Sequence, residues 1–322
     1  MAEERRTVYS PKGPLLSRGI PLGGLPAFFR FFMKRKFLGK PIPLLGSFKI
    51  TYRCNLRCAG CPFHQRGNEP GSHMNRETAL QVLTRLHEAG LPIIIFEGGE
   101  PLLWRDGSFT FSDLVLQARK LFPRVAVTTN GTVPLDVPAH MLWVSLDGLR
   151  DTHNALRNGS FDRIAQNLKK TKHRKVFAHI TLNNRNRHEI FSLAEWVREH
   201  PKIRGITVQL FYPYEQGEAP LALSHGERRS TLEALMDLKR QGYPILNSME
   251  RLRAMIENRW TCHEDLLINV DPDGTITQGC YVKGRGIVNC RHCGFTPVAE
   301  ASGALEGRMG SLLAGWHLFI QP

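Results

Sequence analysis

Cysteine spacing constrains this chain more than any other feature. Three thiols fall within eight residues in Cys54-Asn-Leu-Arg-Cys58-Ala-Gly-Cys61. The other four, Cys262, Cys280, Cys290 and Cys293, form a second group, and none of the seven is left over. An odd number in tight clusters, with no visible secretory signal, argues for metal sites over a disulfide framework. Three thiolates on one short loop can hold three corners of a cubane iron–sulfur cluster and leave the fourth iron open to a ligand. Four thiolates fill such a cluster, which suits electron transfer or structural support. Zinc is the competing occupant of both groups: a knuckle with a distant fourth ligand at the first, a four-thiolate site at the second. The spacing of the first group is uncommon for zinc, where paired C-x2-C motifs prevail.

Around the first group the pattern alternates between strand and helix. Apolar runs at 47–53, 93–97, 125–129, 142–146, 176–182 and 205–211 read as strands. Asn75 caps a helix carrying Ala79, Val82, Leu83 and Leu86. Helical periodicity continues over 109–121, 161–172 and 189–199, and Ser224-His-Gly-Glu227 is a capping box opening another helix. The alternation predicts a parallel α/β sheet, and periodicity alone suits an open sheet and a partial barrel equally. From about residue 256 helical periodicity stops. The stretch 266–270, the turn Asp271-Pro-Asp-Gly274 and 275–277 predict a β-hairpin, with loops and the remaining cysteines after it. The expected division is an extension over 1–46, an α/β body over 47–255 and a small metal-stabilised module over 256–322. That module is too short to build much core alone.

Charge is uneven. The first 53 residues hold 11 Lys and Arg against 2 Glu, so most of the formal net charge of +14 is local to that end. There Leu25, Phe28, Phe29, Phe32 and Met33 fall on one helical face and Arg30 and Lys34 on the other, with Lys36 near the apolar side. Two readings stay open: a helix packed on the body, or a basic amphipathic helix lying on an anionic membrane. No apolar run approaches the roughly 18 residues of a membrane span. The expected location is the cytoplasm, with a peripheral contact on the inner face of the membrane.

Cys54-x3-Cys58-x2-Cys61 after a first strand resembles the signature of the radical S-adenosylmethionine enzymes. Further segments match in the expected order. Glu97-Gly98-Gly99-Glu100-Pro101 after the second strand is similar to the segment that contacts the methionine amino group in that family. Thr129-Asn130-Gly131 ends the third strand. Val144-Ser145-Leu146-Asp147-Gly148 ends the fourth, with His153 and Arg157 following. The resemblance spans residues 47 to about 215. It implies a partial (β/α)6 barrel and a [4Fe-4S] cluster whose open iron is chelated by S-adenosylmethionine. It also implies one-electron cleavage to a 5′-deoxyadenosyl radical that takes hydrogen from an unactivated carbon, and an electron donor such as flavodoxin or ferredoxin. The implied cofactor-binding residues are Gly98, Gly99, Glu100, Pro101, Asn130, Ser145 and Asp147. One departure is Gly60, where the family often has an aromatic residue near the adenine; Phe63 is the candidate substitute.

Cys262, the Asp271–Gly274 hairpin turn, Cys280 and Cys290-x2-Cys293 resemble the auxiliary-cluster twitch module, the shortened form of the SPASM domain. That likeness implies a second [4Fe-4S] cluster. Cys58-Ala-Gly-Cys61 and the ending Cys280-Tyr … Cys290-x2-Cys293-Gly-Phe are more narrowly similar to hopanoid- and tetraether-lipid radical enzymes, which act on long apolar substrates. The expected function is therefore radical chemistry, as an oxidoreductase or a transferase, on a lipid-like or other apolar biosynthetic intermediate. A peptide-modifying maturase and a non-enzymatic metal- and nucleic-acid-binding protein are the competing readings. The basic residues lack a nucleic-acid-binding motif, so no nucleic acid is expected. Asn183 reads as a strand-end polar group, and Gln209 and Tyr212 as ordinary barrel-rim residues with substrate contact as the competing reading. His263 and His292 flank cysteines as supporting or bystander groups.

Overall fold

The computed structural model describes residues 24–213, 218–280, 282 and 289–321. Helix α1 (Leu25–Phe32), extended by a π turn over Met33–Phe37, precedes the first strand, β1 (Leu45–Thr51). Then come α2 (Arg76–Glu88), β2 (Ile93–Gly98), the small hairpin β3 (Arg105–Asp106) and β4 (Phe109–Thr110), α3 (Phe111–Leu121), β5 (Arg124–Thr129) and β6 (Met141–Ser145). Helices α4 (Arg150–Leu156) and α5 (Phe161–Lys170) lead to β7 (Val176–Leu182), α6 (Ile190–Glu199) and β8 (Ile203–Leu210). Helices α7 (His225–Arg240) and α8 (Met249–Ile256) follow, then β9 (Leu267–Val270), β10 (Ile276–Gln278), α9 (Thr296–Leu305) and α10 (Met309–Gly315), which continues as a π turn over Trp316–Ile320.

One eight-stranded sheet runs in the order β10-β9-β1-β2-β5-β6-β7-β8, and only the β9–β10 pair is antiparallel. Six parallel strands with crossover helices curl into the expected partial barrel, and β9–β10 extends the sheet beyond β1. Apolar residues on the outer strand faces, Phe48, Ile50, Ile94, Phe96 and Val127 among them, pack against the helices in the main core. The inner faces carry a different alternation: Ser47 and Lys49 on β1, His179 and Thr181 on β7, Thr207 and Gln209 on β8.

One expectation changes. The stretch after the hairpin is not mainly loops: α9 and α10 lie there. Pro297 starts α9 within its first turn, and its buried positions (Thr296, Val298, Ala299, Ala301, Ser302, Gly303) are mostly small. A helix buried around most of its circumference has no polar stripe, so it shows no amphipathic period. The N-terminal helix is docked on the body. Its most buried residue is Phe31, packed with Leu44, Leu45, Ile93 and Leu266, a contact that the one-face pattern leaves aside. Residues 1–23 of the basic extension, and Tyr281, lie outside the described residues. No helix among the described residues is long and apolar enough to cross a membrane.

Candidate active site

The first cysteine loop is built by a close approach of two strand ends. Gly98 sits at φ +124°, and a Cβ there would lie 2.3 Å from the Thr51 carbonyl oxygen; a Cβ on Gly99 would lie 2.2 Å from that of Arg53. Only glycines let β2 run this close to the end of β1. The Gly99 and Glu100 amides then donate to the carbonyls of Thr51 and Arg53 at 2.7 and 3.0 Å. The loop beyond is tied down from outside. The Ala59 amide donates to the Leu156 carbonyl at 2.8 Å, the Arg57 amide to Asn158 at 3.2 Å, and Asn55 Nδ2 to Thr132 at 2.8 Å.

Cys54, Cys58 and Cys61 all face one cavity of about 870 Å³ inside the barrel. Burial pushes the Cys54 thiol up to about 11, and raises Cys58 against the lowering influence of Arg157. Cys54 and Cys58 therefore stay protonated in the apoprotein and would release their protons on binding metal. Arg157 is held by Asp147, with Nε to Oδ2 at 2.5 Å; both side chains are largely buried. Burial alone would lower the Arg157 pKa, but Asp147, Cys58 and Cys61 outweigh it and raise it. A permanent cation therefore stands beside two of the three thiols.

The remaining sequence candidates divide. Gly98, Gly99, Asn130, Ser145, Asp147 and Phe63 line the cavity. Asn130 Nδ2 lies 3.7 Å from Cys54 Sγ and 2.9 Å from Asn55 Oδ1. Asp147 Oδ1 accepts from the Thr181 amide at 2.8 Å, so it also joins β6 to β7. Glu100 and Pro101 do not reach the cavity lining. Glu100 is fully buried, and its oxygens accept from Thr129 Oγ1 at 2.8 Å and from the Asn130 and Leu102 amides at 2.7 and 3.1 Å. Burial raises its pKa to about 7 against those three hydrogen bonds. Those bonds tie the end of β2 to the end of β5. Phe63 stacks on Tyr52 with ring centroids 5.4 Å apart. The volume missing at Gly60 is taken by Phe211, whose ring would lie 2.7 Å from a Cβ there.

Asn183, Gln209 and Tyr212 also line the cavity. His263 sits 3.6 Å from Glu306, and His292 contributes its backbone carbonyl to Arg228. Residue-type reasoning missed His179, Thr181, Thr207 and Asn269, which line the cavity too. Burial lowers the His179 pKa to about 4, so it is neutral at pH 7, with Nδ1 3.0 Å from Thr207 Oγ1. The signal that could have found these groups was polar residues at every second place in otherwise apolar strands.

The second cysteine set gathers beside the gap between β8 and β10. Cys280 follows β10, while the Gly294 carbonyl accepts from the Leu210 amide at the end of β8. All four thiols line the same cavity as the first three. Burial, followed by the other three cysteines and Glu264, pushes Cys262 up to about 12. Arg228 braces this wall through the carbonyls of Met255, His292 and Cys293. Among the described residues no three His, Cys, Asp or Glu side chains close up tightly enough for a single metal ion.

Residues 48–197 match the profile of the Radical SAM superfamily, and the chain carries a domain of that superfamily. Fe-coproporphyrin III synthase of Methanosarcina barkeri is 29% identical over 187 residues, covering 54% of this chain and 44% of its own length. The antilisterial bacteriocin subtilosin biosynthesis protein AlbA of Bacillus subtilis is 26% identical over 173 residues, covering 49% and 38%. The chain thus spans less than half the length of these curated relatives. Streptococcus suis SuiB bound to precursor peptide SuiA has a TM-score of 0.61 at 15% identity, covering 97% of this chain and 73% of that one, a likeness of fold. The superfamily uses a [4Fe-4S] cluster with S-adenosylmethionine. The residues here fit that group: three thiols on one tethered loop, side-chain-free backbone at Gly98 and Gly99, and polar strand ends around one cavity. The four remaining thiols are the donor set that a second, closed cluster needs.

Proposed function

We propose that the protein is a radical S-adenosylmethionine enzyme acting on an apolar, lipid-like biosynthetic intermediate. The observation that carries this reading is the cavity. Near the cysteine loop its lining is polar, with Asp147, His179, Thr181 and Gln209; toward the strand starts it becomes apolar, with Phe28, Trp143, Leu246 and Phe319. Such a lining suits a substrate with a polar end at the reacting site and an apolar body below it.

Cys54, Cys58 and Cys61 would hold the cluster, with the Gly98–Gly99 backbone, Asn130, Ser145 and Asp147 beside S-adenosylmethionine. When bound, that pair supplies a carbon radical after one-electron reduction by an external donor of the flavodoxin or ferredoxin type. Arg157 balances thiolate charge, and the Asp147–Thr181 bond fixes the rim. The apolar lower wall excludes water and competing hydrogen donors. Cys262, Cys280, Cys290 and Cys293 would hold a second [4Fe-4S] cluster in the 256–322 module. A second reading, a peptide-modifying maturase, is favoured by the fold likeness to the SuiB–peptide complex.

The test is anaerobic incubation of reconstituted protein with S-adenosylmethionine, a reductant and either isoprenoid or acyl lipids or candidate peptides. Expected is 5′-deoxyadenosine formation coupled to a mass change on a lipid. A mass change on peptide alone would establish the second reading.

A further inference from the structure

Two helical stretches line the apolar end of the cavity. One is α1 with its π turn (25–37); the other is α10 with its π turn (309–320). They run in opposite directions across the strand-start end of the barrel. At one end of the pair, Arg124 lies against Gly24 and its Nε donates to the Phe319 carbonyl. At the other, Lys36 Nζ is 3.5 Å from the Cβ position of Gly307. Their inner faces, including Leu25, Phe28, Phe32 and Leu312, line the cavity.

Their outer faces are also apolar. Phe29, Met33 and Phe37 follow one another at four-residue spacing and are 68, 39 and 71% exposed. Met309, Leu313 and Trp316 repeat at spacings of four and three and are 67, 51 and 37% exposed. Residues so spaced share one helix face. Phe29 and Trp316 are at once exposed and part of the cavity lining, so the outer stripes are continuous with the interior. The charge around the first stripe is one-sided. Residues 24–46 contain Arg30, Lys34, Arg35, Lys36 and Lys40 and no acidic residue. Among the described residues only Arg35 of these has an ion pair, to Asp265.

Two apolar stripes, the first of them rimmed by cations, both continuous with the lining of an apolar cavity, match an anionic bilayer in both chemistry and shape. We infer that this composite face docks on an anionic lipid bilayer. The apolar chain of the substrate would then enter the barrel between Phe29 and Trp316, from the end opposite the first cysteine loop. The inference rests on the lipid-substrate reading above and extends it in one respect: the residues around 309–316 matter as much as the basic N-terminal helix.

The experiment uses full-length, cluster-loaded protein and vesicles of phosphatidylcholine with or without phosphatidylglycerol. Each basic side chain brought to an anionic surface strengthens binding about fivefold, so pelleting should need phosphatidylglycerol and weaken at high salt. Leu313→Asp and Met309→Asp, both exposed, should keep wild-type iron content and lower the vesicle partition coefficient at least tenfold. Brominated lipid should quench tryptophan fluorescence, and Trp316→Phe should remove most of that quenching. Wild-type protein that fails to pellet, or a Leu313→Asp variant that pellets like wild type, overturns the docking face. Turnover of detergent-dispersed lipid without vesicle binding also refutes the face and leaves the substrate reading standing. Vesicle binding with lipid quenching of Trp316, but turnover only of peptide, supports the face and refutes lipid entry through it.

Discussion

Replacing Asp147 by Asn isolates what a buried ion pair does beside the cysteine loop. The amide keeps an oxygen for the Thr181 amide and nearly the same volume, but it removes the charge opposite Arg157 at 2.5 Å. The two side chains are only 10 and 16% exposed, so solvent screens them little. Leaving one buried partner uncompensated costs about 3–5 kcal/mol. At about 2.1 cal/mol/K of unfolding entropy per residue, a chain of 322 residues converts that to a drop of about 4–7 °C in Tm. Anaerobic thermal melts of the apoprotein should show this loss. The loss should shrink after iron–sulfur reconstitution, because thiolates at Cys58 and Cys61 then face the same guanidinium. The double variant Asp147→Asn with Arg157→Leu should recover at least half of the lost stability, since no stranded cation remains. A single variant that melts within about 1 °C of wild type would refute the reasoning, and so would a double variant no better than the single one.

Three further outcomes are expected. Reconstituted protein should hold about eight irons in two cubane clusters; Ala at Cys54, Cys58 and Cys61 should remove about half and abolish 5′-deoxyadenosine formation, whereas about four irons plus one zinc would make the second site structural. His153 is fully buried and its pKa is lowered to about 4, so it stays neutral in the fold while the unfolded chain takes up a proton below about pH 6.5. Stability should therefore fall by about 2 kcal/mol from this group as pH drops from 7 to 5, and His153→Gln should remove that share of the fall in melting temperature while His140 and His179, lowered by burial to about 4 as well, keep theirs. Gly99→Ala should lower iron retention by forcing β1 and β2 apart, whereas Gly226→Ala, with nothing within 4 Å of its Cβ, should keep iron content unchanged.

The sequence made the upper rim of the barrel legible because its residue types are dictated locally. Three thiols must share a loop, and two glycines must let backbones approach. The six barrel strands were readable from apolar runs bounded by polar strand ends. The internal partners of Glu100 were not legible, because a carboxylate after two glycines looks the same whether it meets a ligand or internal donors such as Thr129 and the Asn130 amide. The inward alternation on β7 and β8 was obscured because His179 and Thr207 satisfy one another across strands, a pairing set by register. Helix α9 escaped for the opposite reason: burial on most sides erases the very periodicity that announces a helix.

The pairing of β9 with β1 has a consequence for how the molecule is made. Leu45 and Leu267 lie side by side in the finished sheet although 222 positions separate them. A nascent chain emerging N-terminus first has completed β1, β2 and β5 to β8 long before β9 exists. Throughout that interval the outer edge of β1 presents unpaired amides and carbonyls, the kind of edge that recruits stray strands. Closing it late, across so long a stretch, makes folding slow relative to the local helices. A fragment ending at residue 255 would carry that open edge permanently. Expression of the barrel portion by itself should therefore give aggregates, while the full chain protects its first strand with nearly its last.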